Sequence, residues 1–457
     1  METVRGTRSA LSEKFSRSAL RSPARLALGT FALVILIFTG LLSLPAATAD
    51  GHRAPFIDAL FTATSAVCVT GLTTVDTGTY WSAWGLAIIA AAIKVGGLGI
   101  MTLASLIGLA VSRRLGLTQR LLAAEEARAT GLGDLRSLLR TVIVVSFSVE
   151  IAIALILIPR FLTLDYGIGR SIGYSFFYGI SAFNNAGFTP DPVGLYPYSH
   201  DFWMLIPIGL GVWIGALGYP VYLNLVRNWR RPRTWSLHTK LTLVMVSSLT
   251  VISAGLLAIF EWSNPATLGD HNSGDTLGNI FFQSINQRSG GFASFDIGQA
   301  REQTWLLEDV LMFIGGGSGS TAGGIRVTTV AVLLLAIMAE ARGRRDMEAF
   351  GKRVGTEVLR GAVAVTVIGI AIIVIGTTVF MAQTDIPLDR ALYEVVSAYA
   401  TCGLSTGITG SLPPEAKTTL IVMMYVGRVG SMTIAAALAL NKQRRVIRYP
   451  SERPLIG

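Results

Sequence analysis

Four short strings of the sequence share one glycine each and have the chemistry to coordinate a cation. Glycine permits positive φ and leaves no side chain in the way, so successive carbonyls beside it can point inward and replace a cation's hydration shell. The alternative is that these glycines only form tight turns or close helix contacts. Their recurrence in one repeated context favours four loops around a shared axis. The strings are SAVCVTGLT, SAFNNAGFT, SINQRSGGFA and SAYATCGLS, with shared glycines Gly71, Gly187, Gly291 and Gly403.

The spacing around these glycines defines a register for each string. A serine lies six positions before three of the glycines, but in the third string Ser284 lies seven positions before Gly291, so Gly290 is an alternative register there. The Gly-Phe pair and the aromatic position favour Gly291. An aromatic residue lies ten positions before each glycine: Phe61, Phe177, Phe281 and Tyr393.

A stretch of ten residues with six glycines interrupts an apolar segment between 303 and 339. Each glycine costs about 1 kcal/mol against alanine in a helix interior, so the stretch cannot continue a stable helix. No Lys-Ser/Thr follows it, which excludes a Walker A phosphate loop. A simple helix kink is the alternative to a functional loop. The stretch comprises Gly315, Gly316, Gly317, Ser318, Gly319, Ser320, Thr321, Ala322, Gly323 and Gly324.

Basic residues at membrane depth form a further set of candidates, since a charge there is expensive and marks a functional hypothesis. Arg428 lies twelve residues into an apolar segment, where it could act in a pore, snorkel or pair with a helix carbonyl. Lys94 could line a pore, and Glu150 could pair with a basic group or face a dimer interface. Arg288 could brace its glycine loop by pairing with Glu394.

The elements that position these residues follow from composition. Hydrophobic residues make up 51% of the 457 residues, charged residues only 14%, and the net charge is +10. This balance excludes a soluble enzyme, a disordered chain and a disulfide scaffold. A bilayer-spanning helix needs about 20 apolar residues. Eight such stretches lie near 27–44, 82–111, 141–159, 202–226, 241–260, 303–339 (interrupted), 361–382 and 416–440.

Four shorter semi-apolar stretches precede the four glycines, near 56–67, 171–183, 276–286 and 388–400. They are too short to span, and we expect re-entrant helices that aim their partially negative carboxyl-terminal ends at the centre. The polar segments on one side then hold 28 of the 38 Lys and Arg residues, which places both termini in the cytoplasm. Nucleic-acid binding is disfavoured because these charges are dispersed at helix ends.

The predicted fold is therefore an all-α polytopic membrane protein. It has eight transmembrane helices and four re-entrant pore helices, arranged as four helix–pore-loop–helix (M1–P–M2) repeats around one pseudo-fourfold pore. The predicted divisions are 1–26 (cytoplasmic), 27–112 (repeat 1), 113–140 (cytoplasmic loop), 141–227 (repeat 2), 228–240 (cytoplasmic loop), 241–340 (repeat 3, with loop 315–324), 341–360 (cytoplasmic loop), 361–441 (repeat 4) and 442–457 (tail).

With these motifs in place, the sequence resembles the Trk/Ktr/HKT superfamily of K⁺ transporters, and most closely its KtrB branch. The match covers nearly the whole chain. Besides the four glycine strings, it rests on FIGGGSGSTAGGIRVTT, YVGRVGSMT and the tail RYPSERPLIG. The resemblance implies a K⁺ selectivity filter at Val69, Thr70, Gly71, Asn185, Ala186, Gly187, Ser289, Gly290, Gly291, Thr401, Cys402 and Gly403.

The same resemblance implies that the 315–324 loop is a mobile intramembrane gate below the filter and that Arg428 projects into the pore beside it. It implies a homodimer in the bacterial plasma membrane, bound to a cytosolic ring of RCK subunits that carry ATP or ADP. The chain itself would bind no cofactor. K⁺ would be the cargo, with Na⁺ as a coupling ion, and a filter with glycine at all four positions favours K⁺.

Three other functions are alternatives to a K⁺-selective transporter. A less selective Na⁺/K⁺ transporter would have the same architecture. A membrane-embedded enzyme would need polar catalytic clusters, whereas His52, His200, His238 and His271 fall in loops or at helix ends. A secondary transporter with inverted repeats is disfavoured because all four repeats here enter the membrane with the same orientation.

Overall fold

The computed structural model describes residues 23–113 and 135–430. The predicted tail 442–457, and most of the predicted segments 1–26 and 113–140, lie outside the described residues. The described chain is helical apart from loops and one hairpin. Its helices are α1 (Pro23–Leu42), α2 (Phe56–Val67), α3 (Thr77–Tyr80), α4 (Ala83–Arg113), α5 (Leu135–Leu162), α6 (Ile168–Phe183), α7 (Phe202–Gly215), α8 (Tyr219–Asn228), α9 (Leu237–Glu261), α10 (Ser273–Asn286), α11 (Glu302–Ile314), α12 (Val327–Ala341), α13 (Thr356–Ala382), α14 (Leu388–Tyr399) and α15 (Pro414–Tyr425).

Three helices in the described part of the chain are long and apolar enough to cross a bilayer by themselves. They are Arg140–Leu162 within α5, Leu237–Glu261 (α9) and Thr356–Ala382 (α13). Each presents many apolar side chains on its surface, as a lipid-facing helix must. The chain is thus a helical, multi-pass membrane protein. The exact count of eight spans stays a prediction.

The predicted span at 202–226 is sharply bent in the structure. Two helices, α7 and α8, replace it and meet at an angle of 96°. Gly218 has φ +90°, and Pro220 lacks the backbone N–H that a continuing helix needs. The hydroxyl of Tyr222 donates to the carbonyl of Ile214 and satisfies one acceptor at the end of α7.

The interruption of the 303–339 segment is confirmed. Helix α11 ends at Ile314, α12 begins at Val327, and the 315–324 loop lies between them. Helix α15 changes to a π-helical segment, Val426–Gly430, that carries Arg428. Such π-helical turns are rare and are frequent at functional sites.

Helices are present at all four short semi-apolar stretches. They are α2, α6, α10 and α14, and a loop with one of the shared glycines follows each. Their carboxyl-terminal halves are buried: every residue of α2 from Phe61 to Val67, for example, is inaccessible to solvent. The side chain of Asn272 caps the start of α10 by accepting from the amide of Asp275.

The predicted cytoplasmic loop 341–360 contains a small hairpin. Strands β1 (Met347–Ala349) and β2 (Lys352–Val354) pair antiparallel, and Met347 lies opposite Val354. Phe350 and Gly351 both have positive φ, as the tight type I′ hairpin turn requires. Met347 and Val354 bury their side chains against α12 and α13.

Candidate functional site

The four shared glycines form a closed ring at the centre of the molecule. We call the segments that carry them the first to fourth glycine loops (68–72, 184–188, 288–292 and 400–404). A Cβ built on each glycine would collide with the backbone of the next loop. For Gly71 it would lie 2.5 Å from the carbonyl oxygen of Ala186, and for Gly187 it would lie 2.9 Å from the Cα of Gly291.

The ring closes in the same way on its other two sides. A Cβ on Gly291 would meet the carbonyl oxygen of Cys402, and a Cβ on Gly403 would meet that of Thr70. The nearby carbonyl at each contact belongs to the residue immediately before the neighbouring loop's glycine. The four oxygens, from Thr70, Ala186, Gly290 and Cys402, therefore lie between adjacent loops around the ring.

Backbone conformation distinguishes these loops from ordinary turns. All four glycines have positive φ, between +69° and +100°. Val69, Asn185 and Thr401, two positions before their glycines, also have positive φ (55°, 58° and 47°). A β-branched residue in this region is strained by about 1–3 kcal/mol and persists only where its surroundings hold it.

The third loop departs from the others, as its sequence predicts. Gly291 has positive φ and Gly290 does not, so the conformation favours the Gly291 register. Helix α10 ends five positions before its glycine, whereas α2 ends four positions before Gly71, so the third loop has one extra residue. The aromatic position before this loop lies in a different environment from that before the first loop. Phe281 is 56% exposed, whereas Phe61 is fully buried.

The first and fourth loops are held by serines of the short helices before them. The amide of Gly71 donates to Oγ of Ser65 at 3.0 Å, and the amide of Gly403 donates to Oγ of Ser397 at 3.1 Å. Both serines lie six positions before their glycine, which is the spacing found in the sequence. We call these two the serine-held loops.

The second and third loops are bonded to long helices, and we call them the helix-held loops. The second also keeps a serine contact, since Ser181 Oγ donates to the carbonyl of Phe188 at 2.8 Å. Asn184 Nδ2 donates to Oε1 of Glu150 on α5 at 2.9 Å. Arg288 donates from Nη2 to Oγ1 of Thr250 (2.7 Å) and from Nη1 to the carbonyl of Val246 (3.2 Å), both on α9.

The predicted pairing of Arg288 with Glu394 is therefore wrong. Glu394 is fully buried and accepts from Oγ of Ser405 (2.6 Å), the amide of Thr406 (3.0 Å) and Oγ1 of Thr409 (2.8 Å). It fixes the chain that follows the fourth loop. Each of the two side chains is instead bonded to polar groups of its own neighbourhood.

The 315–324 loop lies in the gap that the bend between α7 and α8 creates. The amide of Gly317 donates to the carbonyl of Ala216 at 2.8 Å, and the amide of Tyr219 donates to the carbonyl of Gly319 at 3.3 Å. A Cβ on Gly218 would lie 2.6 Å from the carbonyl oxygen of Ser318. The bend and the loop are thus complementary. The bend was not among the sequence predictions, although the glycine and the proline of the Gly218-Tyr219-Pro220 string are residues that favour one.

Hydrogen bonds join this loop directly to the helix-held loops. Thr321 Oγ1 donates to Oδ1 of Asn185 at 2.9 Å, and the amide of Gly323 donates to Oγ of Ser289 at 3.0 Å. A Cβ on Gly323 would also meet the carbonyl oxygen of Ala400, just before the fourth loop's Thr401. The predicted gate residues and filter residues therefore lie in contact.

Two arginines lie beside the 315–324 loop. Arg428 is only 3% exposed, and among residues 23–113 and 135–430 it has one hydrogen bond, from Nη1 to Oγ1 of Thr401 at 3.3 Å. Within the same residues, its Nε and Nη2 have no partner. Arg326 donates from Nη1 to the carbonyls of Ala322 (2.6 Å) and Gly317 (3.4 Å), and so ties the loop to itself. Arg326 was not among the residues that the sequence motifs singled out.

Lys94 lies away from these contacts. Its Nζ donates to the two carboxylate oxygens of Glu150 at 2.7 and 2.6 Å. The predicted pairing of Glu150 with a basic group is confirmed. The structure gives no support to a pore-lining role for Lys94.

Comparison with known proteins agrees with this architecture. The family model described as "TrkH: Cation transport protein" matches residues 31–449. The chain is 38% identical to the Ktr system potassium uptake protein B of Bacillus subtilis, over 95% of this chain and 96% of that protein.

Two further similarities extend the comparison. The chain is 32% identical to the potassium/sodium uptake protein NtpJ of Enterococcus hirae, over 95% of this chain and 97% of that protein. The fold is similar to the crystal structure of the potassium transporter TrkH from Vibrio parahaemolyticus. The TM-score is 0.67 at 18% identity, and the match covers 91% of this chain and 85% of that one.

Proposed function

The chain belongs to the TrkH family of cation transport proteins, and we propose that it is the membrane subunit of a K⁺ uptake system. Family membership makes it a transporter rather than an enzyme. K⁺ would pass down its electrochemical gradient through the ring of glycine loops. The Bacillus relative, which is named as a potassium uptake protein and matches over nearly its whole length, supports this cargo.

The observation that carries the proposal is the ring of carbonyls between adjacent glycine loops. Four backbone oxygens, one from each loop, lie at equivalent positions beside Gly71, Gly187, Gly291 and Gly403. Carbonyl oxygens can replace the hydration shell of K⁺ without placing a full charge in the path. We therefore assign the selectivity filter to the four loops and their predicted residues.

We propose that the 315–324 loop is the gate. The support is its position: it lies directly against the second and third loops through Thr321 and Gly323. An irregular backbone at membrane depth is tolerated where protein or water surrounds it. The bonds of Arg326 to the loop, and the buried guanidinium of Arg428 beside it, would hold the closed arrangement.

Control would come from outside the chain. By its resemblance to Ktr systems, we propose a homodimer in the bacterial plasma membrane, with both termini cytoplasmic, on a cytosolic RCK ring that binds ATP or ADP. Na⁺ dependence belongs to the same proposal.

The direct test is K⁺ uptake by a bacterium that lacks its own K⁺ transporters and expresses this chain. We expect growth at low K⁺, enhanced by an RCK partner and by Na⁺. A variant lacking Gly316–Ser320 should raise K⁺ flux without the partner. The proposal fails if no condition restores growth while the protein is present in the membrane. The gate assignment alone fails if the deletion leaves the flux unchanged.

A less selective Na⁺/K⁺ transporter is the second candidate. The similarity to NtpJ, which is named as a potassium/sodium uptake protein, favours it. Uptake of K⁺ and Na⁺ into proteoliposomes, each measured against the other as competitor, distinguishes the two candidates. Strong competition by Na⁺ together with Na⁺ uptake at a similar rate would establish this second function.

A further inference from the structure

A buried polar cluster lies behind the second glycine loop, and transport as proposed above makes no use of it. It joins three elements: Lys94 comes from α4, Glu150 and Ser146 from α5, and Asn184 from the end of α6. Glu150 is 3% exposed. Lys94 Nζ lies 3.9 Å from the centre of the Phe147 ring, which adds a cation–π contact to the ion pair.

The carboxylate of Glu150 is the centre of this cluster. It accepts from both Lys94 and Ser146 Oγ (2.9 Å), and one of its oxygens also accepts from Asn184 Nδ2 at 2.9 Å. A buried ion pair repays its desolvation only when further hydrogen bonds satisfy the remaining polar atoms. Glu150 meets that condition. One of the hydrogen bonds that its carboxylate accepts comes from the side chain of Asn184.

Asn184 is the residue immediately before Asn185 of the second loop. Its side chain is held between two helices. A Cβ on Gly97 of α4 would collide with Asn184 Oδ1, so only glycine lets α4 approach this closely. On the other side, Glu150 holds the amide nitrogen. The backbone that leads into Ala186 and Gly187 is therefore anchored to α4 and α5.

The second loop has a contact on its other side as well. Asn185 accepts from Thr321 of the 315–324 loop at 2.9 Å. When that loop moves, as a gate must, this contact is lost, but the contact of Asn184 with Glu150 does not depend on it. The cluster can hold the second loop in place in either state of the gate.

We propose that the Lys94–Glu150 ion pair, acting through Asn184, is a positioning element that sets the carbonyls of the second glycine loop and so contributes to the discrimination between K⁺ and Na⁺. The inference rests on the proposed transport function. Lys94 and Glu150 do not touch the ion. They act by fixing the residue that precedes the proposed filter backbone, because the bonds from Lys94 hold the Glu150 side chain where it accepts from Asn184.

The test compares two double variants in proteoliposomes that are loaded and assayed identically. Lys94→Met/Glu150→Gln removes both charges but leaves an amide oxygen that can accept from Asn184. Lys94→Met/Glu150→Leu removes the acceptor as well. The readout is the K⁺ concentration for half-maximal uptake, with and without competing Na⁺. We expect the Gln variant to retain discrimination within about threefold and the Leu variant to lose about tenfold, the factor that one hydrogen bond to a charged group supplies.

Asn184→Leu provides an independent arm, because it leaves the ion pair intact and removes only the link to the loop. It should lose discrimination as the Leu double variant does. A second prediction concerns the gate. Thr321→Val removes the contact between the 315–324 loop and Asn185. In that background, Asn184→Leu should lower K⁺/Na⁺ discrimination more than it does alone, because the second glycine loop then lacks both anchors.

Glu261→Gln is the matched control. Glu261 is also a buried carboxylate on a spanning helix, but it accepts from Thr267 and Thr304 at the outer end of α9. Its loss should lower the amount of folded protein or the maximal rate and leave the K⁺/Na⁺ ratio unchanged.

The proposal is overturned if folded Asn184→Leu and the two double variants all keep the wild-type ratio. It is overturned too if the Gln and Leu double variants lose discrimination equally, since the acceptor would then be irrelevant. Failure of the proposed function is separately visible, because the wild-type chain would then transport neither K⁺ nor Na⁺.

Discussion

The serine-held loops and the helix-held loops each hold a glycine at positive φ, but contacts from different parts of the molecule hold them. In the first and fourth loops, Ser65 and Ser397 each bond to the amide of a glycine only six residues away. In the second and third, Asn184 and Arg288 bond to α5 and α9, at sequence separations of 34 and about 40 residues. The first arrangement is local, and the second depends on tertiary packing.

The two pairs also differ in their relation to the 315–324 loop. Among the described residues, the hydrogen bonds from that loop to the glycine loops go to Asn185 and Ser289, both in the helix-held pair. Hydrogen bonds would thus transmit a movement of the proposed gate to the loops that long helices anchor, whereas the fourth loop meets Gly323 only by close packing at Ala400 and Thr401. We infer that the helix anchors isolate the proposed filter from movement of the 315–324 loop.

The largest effect is expected from alanine at the ring glycines, which both pairs share. Alanine at Gly187 or Gly403 would adopt positive φ at a cost of about 1 kcal/mol or more and would also collide with the next loop. We expect K⁺ uptake to fall about a hundredfold or more in both, since two such penalties in one variant multiply. Uptake assays at matched protein levels check this.

Gly51→Ala is the control for that experiment. Gly51 also has positive φ, +74°, but no atom lies within 4 Å of its built Cβ. It should therefore show the conformational cost without the collision, and uptake should stay near the wild-type level. If alanine is tolerated at either ring glycine, the close contact around the ring is not required for transport.

The next largest effect should come from a variant that alters a contact of the helix-held loops alone. Thr321→Val removes the hydroxyl that donates to Asn185 and is close to isosteric. The contact holds the 315–324 loop against the second glycine loop, so its loss should raise partner-independent K⁺ flux by about three- to tenfold, the factor expected of one neutral hydrogen bond. Flux is measured in proteoliposomes that contain no soluble subunit.

Ser318→Ala is the paired variant, because the Ser318 hydroxyl contacts Thr328 of α12 rather than a glycine loop. Its flux should rise less than that of Thr321→Val. Equal increases would mean that loosening the 315–324 loop anywhere has the same effect, and the asymmetry between the two pairs of loops would lose its functional meaning.

A similar contrast separates the two arginines. Arg326→Gln removes the guanidinium that bonds to the carbonyls of Ala322 and Gly317, whereas Arg428→Gln removes a single 3.3 Å bond to Thr401 of a serine-held loop. We expect Arg326→Gln to raise partner-independent flux about threefold. Arg428→Gln should mainly change the K⁺ concentration for half-maximal uptake, because its bond goes to a glycine loop and not to the 315–324 loop. If Arg428→Gln mainly raises the partner-independent flux and Arg326→Gln mainly changes the K⁺ concentration for half-maximal uptake, the two arginines have the opposite roles.

Much of the local architecture was predictable because its signals are local. The four short helices and the break at 315–324 follow from segment length, glycine content and serine spacing within about a dozen residues. The serine-held loops are of this kind: Ser65 and Ser397 stand in the same register as the glycines they contact.

What the sequence did not predict depends on distant contacts. Opposite charge suggested that Arg288 pairs with Glu394, but each finds hydroxyl and backbone partners closer at hand. The apolar run through Leu217 masked the bend between α7 and α8, because hydropathy responds to composition and not to the missing amide of Pro220. The anchors of the helix-held pair are tertiary by nature, and neither spacing nor periodicity encodes them.

The smallest expected effect tests the serine-held pair itself. Ser65→Ala and Ser397→Ala each remove one acceptor for a glycine amide, at 3.0 and 3.1 Å. A neutral hydrogen bond of this kind contributes about 0.5–1.5 kcal/mol, and only part of that difference should distinguish K⁺ from Na⁺, so we expect discrimination to fall about two- to threefold in each variant. Because the two serines hold separate loops, the double variant should show the product of the single effects, and Thr321→Val should not change either of them. Ser411→Ala, on an exposed turn where the hydroxyl bonds to the carbonyl of Ile408, controls for loss of a serine hydroxyl away from the glycine loops. If either serine variant loses as much K⁺/Na⁺ discrimination as Asn184→Leu, the serine contacts contribute as much as the helix anchors. The difference between local and tertiary support of the proposed filter would then have no consequence for selectivity.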